Sequence, residues 1–180
     1  IGFLNKYNIA FSVLGLIPAL LLTRQRKIFT QPHLYWAGLL ALVIIFPNLL
    51  WQYQNKFPVI HHMKELSERQ LVNVNRIDFL KSQILFFIGS IVVVIAGWGS
   101  LLLYKPFEKF KLFFWSYIIT IALFLLFKAK DYYAIGLYPV YIAFGSVFLA
   151  YFLENGWRKF LKPVCIFIPV LLFLPLYNVA

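Results

Sequence analysis

Long apolar stretches, each bounded by short clusters of charge, dominate the chain. They run over about Tyr7–Thr23, Leu34–Leu50, Ile84–Tyr104, Leu112–Phe127, Ala134–Leu153 and Val164–Ala180, and none contains Lys, Arg, Asp, Glu or His. A helix that crosses a bilayer needs roughly 17–25 mostly apolar residues, and these stretches reach or approach that length. Their apolar runs are continuous rather than alternating, which argues against the strands of a membrane barrel. The pattern predicts an all-α protein, a polytopic transmembrane helix bundle of about six spans, with residues 1–180 forming part of one transmembrane domain. Pro169 and Pro175 predict a kinked last span. Small residues four apart, at Gly15/Ala19, Ala96/Ser100 and Ser146/Ala150, mark faces where helices can pack closely.

Charge decides orientation. Only 13% of the residues are charged, against about a quarter in soluble domains, so the apolar runs cannot be the core of a soluble protein. The net charge of +11 does not indicate nucleic acid, because the cations sit at the ends of spans and form no continuous stripe. They suit anionic membrane lipids instead. Thr23–His33, Lys105–Lys111 and Glu154–Pro163 hold nine of the 17 basic residues and all fall on one side, which the positive-inside rule makes cytoplasmic. Residues 51–83 then form a long extracytoplasmic loop, with five basic and three acidic residues.

In that loop Ile60, Met63 and Leu66 recur at helical spacing and predict an interfacial helix, with Ser67 and Gln70 as a cap for a further helical turn. A solvated connector is the alternative. The single cysteine, Cys165, allows no intrachain disulfide. The chain opens without Met and closes inside an apolar run, and it reads as a piece of a longer membrane protein.

Candidate chemistry concentrates on the extracytoplasmic side. Asn48 is a polar group near the end of the second span, close to Pro47. His61 and His62 are imidazoles that can bind a divalent metal, the one cofactor the residues suggest. As neighbours on a helix they point apart, so both also fit as interfacial polar residues. Lys128, Lys130, Tyr132 and Tyr133 crowd into a tight turn. Lysines are compact cations suited to phosphate, and tyrosines add hydroxyl donors; the same residues would also serve as an interface anchor. Asn73, Asn75, Arg76, Asp78 and Lys81 form a polar string, in which Arg76 can clamp a phosphate, pair with Asp78 or cap a helix. No carboxylate pair at a catalytic spacing, glycine-rich phosphate loop or nucleophile motif occurs, so a general base is expected outside these residues.

The runs PNLLWQYQNKFPVIHHMKEL, LVNVNRIDFLKSQ and KAKDYYAIGLYPVYIAFGSV resemble bacterial polyprenyl-phosphate-dependent glycosyltransferases. These belong to the dolichyl-phosphate-mannose-protein mannosyltransferase-like family, which includes the aminoarabinose transferase of lipid A. The resemblance extends from Asn5 to about Leu153. It implies a membrane glycosyltransferase of a bacterial inner membrane that takes a sugar from a polyprenyl-phosphate carrier. The sugar passes, with inversion, to a lipid, glycan or protein acceptor at the extracytoplasmic face. It also implies that Lys130 and Tyr132 lie where the carrier phosphate is held, and that His61 or His62 corresponds to a metal-binding histidine of some members. A lipid or small-solute transporter or flippase is the competing reading. The spans carry no ionisable group of the kind that coupled transport uses.

Overall fold

The computed structural model describes residues 9–69, 74–154 and 156–177. Among them every regular element is helical, as a lipid solvent requires, because only helices and closed barrels satisfy all their backbone polar groups without water. The helices are α1 Ile9–Leu21, α2 Pro32–Gln54, α3 Pro58–Arg69, α4 Arg76–Phe86, α5 Ile91–Leu103, α6 Lys111–Leu126, α7 Tyr138–Phe152 and α8 Lys162–Tyr177. Short 3₁₀ helices join them at Arg24–Thr30, Ile88–Ser90, Lys105–Phe110, Asp131–Leu137 and Gly156–Leu161. Proline stands in the first turn of α2 and α7 and of the Lys105–Phe110 segment, where its missing N–H would have had no partner.

Three helical segments are long and apolar enough to cross a membrane: Pro32–Gln54, Lys105–Leu126 and Asp131–Phe152. Two bent pairs raise the count to five among the described residues. The first stretch does not run straight through. α1 ends at Leu21 and the chain turns by 105° into Arg24–Thr30, with the Thr23 hydroxyl donating to the carbonyls of Ala19 (3.0 Å) and Leu20 (3.3 Å). The third stretch also breaks. Arg76–Phe86 and Ile88–Leu103 meet at 61°, around Phe87, whose ring stacks on Tyr138 at 3.8 Å. The sixth stretch appears as α8, 16 residues long.

The interfacial helix anticipated in the long loop exists as a helix, α3, with Ile60 and Met63 both exposed. The side chains of Leu66 and Ser67, and residues Gln70 and Asn73, lie outside the described residues.

The chain forms two compact units. One comprises Ile1–Arg76 and Trp115–Lys130. Within it α1 lies on α6, with Gly15, Ala19, Thr120 and Phe124 buried and the Phe11 ring against Phe124 and Phe127 at 5.5 and 5.6 Å. A Cβ on Gly15 would collide with the Thr120 hydroxyl, so the glycine's own Cα–H points at that oxygen. The Thr120 hydroxyl has no conventional hydrogen-bond partner among the described residues, and the Cα–H contact is the weak substitute available to it.

The other unit comprises Ile77–Phe114 and Asp131–Ala180, and the packing of α5 on α7 dominates it. A Cβ on Gly97 would strike the carbonyl of Tyr141, and one on Gly145 the carbonyl of Val93. Each glycine therefore lets the opposing backbone close in, as in the small-residue crossings of membrane helices. The two helices run parallel: Phe87 meets Tyr138, Gly97 meets Gly145, and Tyr104 meets Phe148 and Tyr151. The Gly15/Ala19 pair is thus a packing face, and Ser100 of the second pair is buried. Ser146 and Ala150 are exposed. The contact in α7 falls one residue earlier, on Gly145, because only glycine admits a carbonyl this close.

Candidate functional site

The turn that follows α6 is built from the backbone outward. The Ala129 N–H donates to the carbonyl of Phe124 at 2.8 Å, and Lys128 between them takes a left-handed conformation (φ 49°). This is a Schellman closure of the helix, and both of the residues it joins, Ala129 and Phe124, are buried. Glycine is the usual occupant of the left-handed position, because a Cβ there costs roughly 1–2 kcal/mol. Arg76 completes the cap, its Nε donating to the carbonyl of Leu125 at 3.0 Å. A cation at a helix C-terminus is also favoured by the helix dipole. Asp78 instead pairs with Lys81 at 3.4 Å. Arg76 therefore acts as a cap and not as the partner of Asp78, and it is docked on the helix end from which Lys128 and Lys130 emerge.

Beyond the turn, Asp131–Leu137 forms a 3₁₀ helix. The Tyr132 N–H donates to the Asp131 carboxylate at 2.9 Å, and the rings of Tyr132 and Tyr133 meet edge to face at 4.7 Å. Lys128 and Tyr132 are exposed, and Lys130 and Tyr133 half-buried. Gln83, a buried amide, ties this segment down. Its Nε2 donates to the carbonyls of Phe79 (3.2 Å) and Asp131 (3.0 Å), and its Oε1 accepts from the Tyr138 hydroxyl (3.3 Å). A buried polar group is costly unless its hydrogen bonds are made. Gln83 and Tyr138 make theirs across 48 and 55 positions of sequence, so neither stood out in the linear pattern. Gln83 was visible there only as the last residue of the long loop, and Tyr138 only as a polar atom within an apolar run.

The remaining candidates are carried by α2 and α3. Asn48 is half-buried on α2, and His61 and His62 are exposed on α3. The connection between these helices repeats the design of the first turn. The Phe57 N–H donates to the carbonyl of Gln52 (2.7 Å) and the Lys56 N–H to that of Tyr53 (3.2 Å), with Lys56 left-handed at φ 59°. The buried Gln52 side chain accepts from the Val59 N–H at 3.3 Å, capping the start of α3. Among the described residues no three His, Cys, Asp or Glu side chains gather closely enough to hold a metal ion.

The chain thus carries Lys128 and Lys130, and then Tyr132 and Tyr133, where it leaves the end of an apolar helix. Residues 1–51 match the model of the dolichyl-phosphate-mannose-protein mannosyltransferase family. The match covers 51 of 180 residues. It supports the family that the motifs resemble and, at that level, an integral membrane protein of glycosyltransferase type. It ends at Trp51, so the Lys128–Tyr133 turn and the two histidines lie beyond it. No curated protein and no solved structure matches the chain.

Proposed function

We propose that the protein transfers a sugar from a polyprenyl-phosphate carrier to a lipid, glycan or protein acceptor at the extracytoplasmic face of a bacterial inner membrane. The observation that most supports this reading is the closure of α6. Lys128 is held in a backbone conformation that disfavours it, and strain of this kind concentrates at functional sites. Lys130 follows two residues later, and Arg76 is docked on the same helix end.

The chemistry asked of these residues is electrostatic. As the sugar leaves, negative charge accumulates on the carrier phosphate. Cations fixed beforehand in a partly dehydrated setting lower the barrier without having to reorganise. Lys130 is the principal charge, with Lys128 or Arg76 beside it. Tyr132 and Tyr133 contribute hydroxyl donors and an amphipathic wall.

The test is sugar transfer by the full-length protein in proteoliposomes, from a polyprenyl-phosphate donor, with wild type beside Lys130→Ala and Lys128→Gly. Lys128→Gly preserves the turn while deleting its charge. A loss of about tenfold or more in Lys130→Ala, with folding intact, is expected from removing one preorganised charge contact. Transfer unaffected by both substitutions reduces the turn to an interface anchor. No transfer by wild type with any donor favours the transporter reading.

A further inference from the structure

A second feature lies at the other end of α7 and belongs to no step of the proposed transfer. Ala96, Gly99, Ser100, Leu103 and Tyr104 of one helix edge and Phe148, Tyr151 and Phe152 of the other line a cleft of about 370 Å³. Its walls are almost wholly apolar. Gly97 and Gly99 make the contrast within α5 plain: a Cβ on Gly97 meets the backbone of α7, whereas one on Gly99 meets nothing within 4 Å. Gly99 thus faces open space in the floor of the cleft. Cations, in contrast, adjoin two of the wall residues. The Arg158 guanidinium stands 4.3 Å over the Phe152 ring, itself a wall of the cleft. Lys105 directly follows Tyr104 in the opposite wall.

We infer that this cleft binds one anionic membrane phospholipid, with an acyl chain along Gly99 and Phe148 and its phosphate at Arg158. The argument is complementarity. An acyl chain is narrow and has no polar atom, as the walls require. A guanidinium recognises a phosphate through paired hydrogen bonds, and resting on an aromatic face holds it in place beside the cleft wall. The phosphate proposed for the carrier is a separate one. The cleft sits by the C-terminus of α7 and the Asp131–Leu137 segment by its N-terminus, roughly 20 Å apart by the rise of the helix.

Native mass spectrometry of the full-length protein, after exchange into mixtures of phosphatidylglycerol and phosphatidylcholine, tests this. Wild type is expected to retain one phosphatidylglycerol in preference to phosphatidylcholine by about fivefold or more, each nearby cation conferring roughly that ratio on anionic lipid. Gly99→Leu should abolish retention with melting temperature undiminished, since its side chain enters empty space. Ala96→Phe, which narrows the cleft from the same helix edge, repeats the measurement should Gly99→Leu melt early. Arg158→Gln should lower that preference by about fivefold, the share of one cation, and an unchanged preference overturns the placement of the phosphate at Arg158. Equal retention of both lipids by wild type, or phosphatidylglycerol retained by both cleft-filling variants, overturns the inference. Because no sugar transfer is read, the result is independent of the proposed activity.

Discussion

Lys128 makes a separable prediction. Its left-handed backbone is a position where glycine carries no Cβ penalty, so Lys128→Gly should raise stability by about 1 kcal/mol, read as a later thermal midpoint. Gain of stability with loss of transfer would show that the lysine is kept for its charge and not for the fold. Gln83 predicts the opposite. Gln83→Leu removes the donor to Asp131 and Phe79 and the acceptor for the Tyr138 hydroxyl. It should cost about 1–3 kcal/mol, the penalty for buried groups left unsatisfied, measured by denaturant unfolding in detergent. Tyr138→Phe should cost less, because it removes a single bond. The crowding of Lys128, Lys130, Tyr132 and Tyr133 was legible in the sequence, because charge interrupts apolar runs only where the chain leaves them. The docking of Arg76 on Leu125, 49 positions away, was not, since no local pattern encodes a partner that distant.

At the scale of elements, the glycines of α5 provide a matched pair. Gly97→Leu forces a side chain into the Tyr141 carbonyl and should separate α5 from α7, at a cost of several kcal/mol typical of overpacking that backbone cannot relieve. Gly99→Leu should be neutral or stabilising, because leucine favours helix over glycine by up to about 1 kcal/mol. Comparing their unfolding midpoints tests the parallel packing; equal destabilisation of the two variants would contradict it. The helices themselves were readable from apolar runs bounded by charge. The breaks at 61° and 105° were not, because averaged hydropathy along a stretch is blind to direction. Small-residue spacing identified the Gly15/Ala19 face but misplaced the face of α7 by one residue. A four-residue spacing of small side chains occurs on more than one side of such a helix, and only the opposing carbonyl selects among them.

For the whole molecule, the distribution of cations predicts an orientation that labelling can check. In a Cys165→Ser background, cysteines at Glu108 and Glu154 should react with an impermeant thiol reagent from the cytoplasmic side, and one at Glu68 from the outside. Reaction of all three from one side would reject the orientation and, with it, the extracytoplasmic placement of the Lys128–Tyr133 turn. Fold class was legible at this scale because the solvent dictates it. The division into two units was not, since hydropathy does not report which helices pair. That division has a consequence for how the protein is made. Each unit is assembled from two separated lengths of chain, and α6 contributes its first turn to one and the remainder to the other. A ribosome delivering the chain in order completes neither unit when α5 emerges. Closure of both waits for the second half, and no single cut in the polypeptide would release either unit whole.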